Sequence, residues 1–244
     1  MSARFAIPAT TFVLRALIEE RLKIAYGALA PPPVSVEPPP RPSPTNGNPG
    51  NGAPPPEPAQ LHLVCHHVAP NPAWRNMYDP RVSSSGLRAG PSPVALDLQY
   101  ILAATGTDLE REVLLGLGIV ALSRFGIIPR PKIVSILAGV VVPANPTKIL
   151  DLLTTEQLGD PAEQPEQITV SQQLVDLDLS TKLWSAFQSP LRPSAYFLVT
   201  TVFLEVDEVF APPMAVDRVT IGARPDVTGA PADPEDLITT VATS

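Results

Sequence analysis

One cysteine and three histidines are all the thiol and imidazole groups that 244 residues provide. A single thiol excludes an internal disulfide, which fits synthesis and folding in a reducing cytoplasm. Basic charge is also short, 17 Lys and Arg against 24 Asp and Glu for a net charge of -7. That balance argues against broad binding to nucleic-acid phosphates or to anionic lipid. No window holds the roughly 18 to 20 uninterrupted apolar residues a bilayer span needs; the longest runs, Val113–Ser123 and Ile133–Val142, are about half that. The expectation is no direct membrane insertion. Near the N-terminus Glu19, Glu20, Arg21 and Lys23 interrupt the apolar run, so no secretory signal is expected there. Gly-x-Ser-x-Gly, a Walker loop, a dinucleotide-binding glycine fingerprint, Cys-x-x-Cys and His-Glu-x-x-His are all missing.

What is present begins with 44% apolar residues, ample for a core. The 32 prolines are about two and a half times the ordinary ~5% share, so part of the chain lies outside regular structure. Thirteen of them fall between Pro31 and Pro58, a stretch with almost no large apolar side chain. It cannot bury enough surface to offset its ordering entropy, and it is read as an extended or disordered insertion. Before it, Phe12, Val13, Leu17, Ile18 and Leu22 form the apolar stripe of a helix over Ala9–Tyr26.

After the insertion, Leu61–Val68 alternates as a strand and Val94–Ala104 is apolar on both sides, as an interior strand would be. Thr107-Asp-Leu-Glu110 has capping-box spacing and predicts a helix over Asp108–Arg124, in which Gly116 and Gly118 suggest a closely packed backbone. A further helix is expected from Pro131 and a strand over Ile168–Leu177. Then come a short helix capped by Asp178 and a long strand from Ser194 to Asp207 in the sheet centre. The predicted fold is α/β, a single domain with a mixed β-sheet flanked by a few α-helices. It spans residues 1–210, includes the proline-rich insertion at 31–58, and leaves 211–244 as a partly flexible extension.

The candidate ligand cluster is His62, Cys65, His66 and His67. On a regular strand Cys65 and His67 share a face about 7 Å apart, while His62 and His66 lie on the other, and no further ligand motif completes a site. No metal and no cofactor are expected. A Cys65/His66 nucleophile pair is opposed by alternation, since neighbours on a strand point to opposite faces; a small hydrolase is the weakest of the readings. Asp97, inside an apolar strand, needs a structural partner such as Arg75, Arg111 or Arg192. Trp74, Arg75 and Asn76 sit in a polar loop, where interface anchoring and core packing are equal readings, while Trp184 is a candidate core residue.

Several pieces occur in a fixed order: Ile7-Pro-Ala-Thr10, Asn71-Pro72, Arg75-Asn76, Pro93 with Ala95–Leu98 and Tyr100, and Leu115-Gly116. Leu183-Trp184 before Ser189-Pro190, and Arg192 with Ser194, complete the set. Across Ala6–Glu208 this order resembles the tail-terminator, or cap, proteins of phage-tail-like contractile injection systems of the anti-feeding-prophage and Photorhabdus-virulence-cassette type. The resemblance implies a non-enzymatic homo-hexamer ring that ends the inner tube and anchors the distal sheath, with Arg192 among its interface residues. Its partners would be itself, the contractile sheath protein and the inner tube protein, with no nucleic acid, in a particle assembled in the cytoplasm and kept there or released. His62 and Cys65, Pro193 and the long insertion depart from that pattern. The alternative is a baseplate or cargo/membrane adaptor whose proline-rich arm is the tether.

Overall fold

The computed structural model describes residues 5–41, 57–74, 93–140, 144–153, 164 and 166–204, and the backbone of 219–222 and 237–240. Helix α1 (Ala6–Tyr26) leads into β1 (Val34–Ser35), β2 (Gln60–Pro70) and β3 (Val94–Thr105). Helices α2 (Glu110–Ser123) and α3 (Arg130–Leu137) and a 3-10 turn (Ile149–Leu152) come next. They are followed by β4 (Thr169–Gln173), α4 (Leu177–Phe187), β5 (Ser194–Leu204) and a separate strand pair, β6 (Val219–Gly222) with β7 (Leu237–Thr240).

The five-stranded sheet has the order β1-β2-β3-β5-β4. It is mixed, because β1 runs parallel to β2 and every other pair is antiparallel. Strand β3 is therefore central and covered on both faces, which explains its nearly continuous apolar sequence. On one face Leu63, Leu98, Tyr100, Leu102, Phe197 and Val199 meet the buried stripe of α1 (Val13, Leu14, Leu17, Ile18) and side chains from α2 and α3. On the other face, among the described residues, α4 is the one helix present and lays Trp184 against Val64, Ile101, Ala103 and Tyr196. The result is an α/β fold with one thickly and one thinly covered sheet face.

Local signals were overridden in several places. The capping box is not made: Leu109 occupies the N-cap of α2 with no side-chain cap, and Asp108 has φ 56°. Glu110 instead accepts a hydrogen bond from the Tyr26 hydroxyl at the end of α1. Burial and this carboxylate push the Tyr26 phenol up to about 12. Asp178 does not cap α4 either; Asp176 holds the N-cap, and Asp178 pairs with Lys182 one turn on. A Cβ at Gly118 would come within 2.8 Å of the Leu102 side chain, so a sheet side chain, not a backbone, packs there, and Gly116 faces open space.

The insertion is not wholly outside the fold. Val34, which follows a run of three prolines, is 3% exposed and pairs with Leu61. Two residues suffice because burying a valine at a sheet edge offsets the cost of fixing them. Within the extension, residues 219–222 pair antiparallel with 237–240, so regular backbone returns there as well. Residues 42–56, the core of the insertion reading, lie outside the described residues.

Candidate assembly surfaces

Strand β2 ends at Asn71, whose side chain organises the turn that follows. Its Oδ1 accepts from the backbone N–H groups of Ala73 (2.9 Å) and Trp74 (3.1 Å), the Asx geometry that asparagine favours in turns. Its Nδ2 donates to Asp97 Oδ1 at 2.7 Å, and its own N–H to the Ala95 carbonyl at 2.9 Å. Among the described residues, half-buried Asp97 is therefore partnered by the Asn71 amide and by no arginine. Arg111 pairs with Glu112, and Arg192 is engaged elsewhere. Trp74 packs edge-on against Phe203 with ring centroids 5.3 Å apart, so this candidate anchor is half-buried in contact with the body. Arg75 and Asn76 lie outside the described residues.

Arg192, which the resemblance makes an interface candidate, is 9% exposed within the chain. Its guanidinium donates to Ser189 Oγ and to the Glu57 carboxylate, and lies 6.0 Å from the centre of the Trp184 ring. It fastens the far end of the insertion to the end of α4. Trp184 is 2% exposed and stacks edge-on with Phe187. The near end of the insertion is fastened by His62, whose Nδ1 lies 3.0 Å from the Glu37 carbonyl. Thr105 Oγ1 donates to the Pro58 carbonyl at 2.8 Å. His62 is buried, and burial lowers its pKa, which favours the neutral ring; the Glu37 carbonyl, an acceptor, selects the tautomer with the proton on Nδ1.

The histidine and cysteine cluster is dispersed by a bulge. The register shifts between Cys65, opposite Tyr100, and His67, opposite Gln99, so the two expected to share a face stand on opposite faces. His66 meets the Tyr196 ring edge-on at 6.1 Å. Burial raises the Cys65 thiol above its ordinary value, which leaves it protonated and weakly nucleophilic. Among the described residues no group of three or more His, Cys, Asp or Glu could hold a metal ion.

Two sheet edges remain. From Leu63 on, the outer side of β2 has no strand partner among the described residues, and the bulge distorts it. On β4, Gly126–Ile128 cover the start, with Val170 donating to the Gly126 carbonyl and Ile128 to the Ile168 carbonyl, each at 2.9 Å. Past that cover, Gln172 and Gln173 open into a groove of about 560 Å³ rimmed by Leu174, Leu177 and Leu191, all exposed. Exposed leucines beside a sheet edge are a surface for association; the serines that line the groove are Ser180, whose hydroxyl accepts from Tyr196, and Ser194, and no histidine lines it. No helix among the described residues is long and apolar enough to cross a membrane.

Comparison with known proteins gives a consistent picture. The model of the Pvc16 N-terminal domain matches residues 9–218. Among solved structures the chain is similar to the sheath/tube terminator, in its extended state, of the PVC extracellular contractile injection system. The identity is 12%, the TM-score 0.52, and the match covers 91% of this chain and 65% of that one. It is also similar to the tube-terminating cap of the anti-feeding prophage, at 11% identity and a TM-score of 0.45, over 87% of this chain and 62% of that one. At these identities the first likeness is one of fold, and the second is too low to add to it. The chain spans about 65% of the length of the terminator it matches. Among curated proteins none matches.

Proposed function

The chain belongs to the Pvc16 N-terminal domain family, and from that premise we propose that it is the structural cap of a phage-tail-like contractile injection system. It closes the end of the inner tube and anchors the last layer of sheath. The observation that carries this reading is the family match over residues 9–218, most of the folded body. The terminator fold and a surface built for contact rather than reaction support it.

In this reading the protein works without a catalytic centre. A raised thiol at Cys65, histidines separated by a bulge and an exposed leucine groove at a sheet edge suit binding by shape and edge pairing. The partners are the contractile sheath protein, the inner tube protein and further copies of the chain arranged as a six-membered ring. The copies are assembled in the cytoplasm into a particle that is then released. Particles built without this protein should show tubes of irregular length or sheaths lost from the distal end. Uniform tails of normal length, counted by negative-stain microscopy, would contradict the role.

A further inference from the structure

Where α1, α2 and α3 converge, a pocket of about 140 Å³ opens on the surface. At about 30 Å³ per water it has room for four or five waters, or for the end of one side chain. Its floor is apolar, from Leu17, Ala121 and Phe125, and its rim carries Arg21, Arg124, Lys132 and Glu20. Lys132 is already paired with Glu20 at 2.7 Å. The two guanidiniums are not neutralised in this way: no carboxylate pairs with Arg21 or Arg124 among the described residues, and Arg124 lies 5.4 Å from the centre of the Phe125 ring. The Nε of Arg21 is buried with no hydrogen-bond partner among the described residues.

A buried donor on a charged group with nothing to donate to is costly, and such groups are seldom left so. With three cations and one carboxylate, the pocket carries a surplus of two positive charges on a chain whose net charge is -7. Its surroundings are those of a contact surface. Ile24 on its rim is 61% exposed, and Val113 and Val120 form an exposed apolar stripe along α2 in line with Arg124. Arginine beside exposed apolar side chains is the composition of interface anchors.

We propose that this pocket receives an Asp or Glu side chain from a neighbouring copy of the same chain. The fork of a guanidinium matches a carboxylate, and the acidic excess of the chain makes another copy the complementary partner. In the ring reading above the contact is head-to-tail, with the pocket on one copy and the carboxylate on the next, the kind that generates rings when the rotation closes. This rests on the ring reading above and deepens it by naming one side of the contact between copies.

The test compares the full chain with Arg21→Glu/Arg124→Glu by native mass spectrometry and sedimentation from 0.05 to 0.5 M salt. The wild-type ring should loosen as salt rises, and the charge-reversed protein should need at least tenfold more subunit to assemble at 0.1 M. Circular dichroism checks that the variant is folded. If it is not, Arg21→Gln/Arg124→Gln takes its place, with the same loss of assembly expected. A variant ring that forms at the wild-type concentration with the wild-type salt dependence overturns the pocket while leaving the ring standing. A wild-type chain that forms no ring at any concentration overturns both.

Discussion

Among the described residues, three helices bury a continuous apolar layer on one face of the sheet; on the other a single helix covers a small patch around Trp184. The thick face contains the long-range ties that define the fold, such as the 2.7 Å bond between the Thr11 and Tyr100 hydroxyls. The thin face contains ties that are short in sequence or that belong to the insertion: Tyr196 to Ser180 at 2.7 Å, and Arg192 to Ser189 and Glu57. The difference teaches that fold and fastening are separable here. Three helices secure the body, and Arg192, in the loop that follows the remaining helix, acts as a latch on the far end of the proline-rich insertion.

The largest expected effect comes from the thick face. Phe197→Ala, at 1% exposure, should cost about 3–5 kcal/mol in urea unfolding and lower protection against hydrogen exchange everywhere. Trp184→Ala should cost about 3 kcal/mol, the low end of that range, with lost exchange protection concentrated in α4. Equal, global loss from both would abolish the distinction between the faces. Glu57→Ala should be milder, about 2 kcal/mol, since it leaves Arg192 largely buried without its partner while Glu57 itself is partly exposed. An unchanged midpoint would mean that the latch does not hold the insertion.

The smallest effect is one of pH. Burial lowers the pKa of both His62 and His66 in the folded state. The unfolded chain therefore takes up protons first as pH falls through about 6.5, the ordinary histidine value. Stability is fully present above that point and is lost as pH falls towards the folded values. The melting temperature should drop between pH 7 and pH 5, and His62→Gln should flatten the slope, leaving the share of His66. A melting temperature flat over that range would show that neither ring needs to stay neutral.

Much of the body was legible in the sequence, since α1, β3 and β5 carry their periodicity in nearest-neighbour chemistry. What was not legible depended on distant partners. The Tyr26 hydroxyl, 84 residues away in sequence, draws Glu110 out of its capping box. One extra residue at the β2 bulge moves His67 to the other face, a change of register that alternation alone cannot anticipate. The tie of Arg192 was hidden because its partner Glu57 lies 135 residues earlier, inside a stretch read as extended or disordered. Asn71 was read only as the end of a strand, although Asn-Pro before a turn is itself a signal for an Asx turn. The candidate interface was the least legible part, because an interface is defined by a partner that one chain's sequence does not contain.

Electron microscopy of the purified full chain, with the mass of the assembly measured alongside, tests the central claim most directly. A closed ring of six copies with a central opening matched to an inner tube is the expected result. A monomer or dimer at every concentration, with no copy at the distal end of a tail particle, would contradict it.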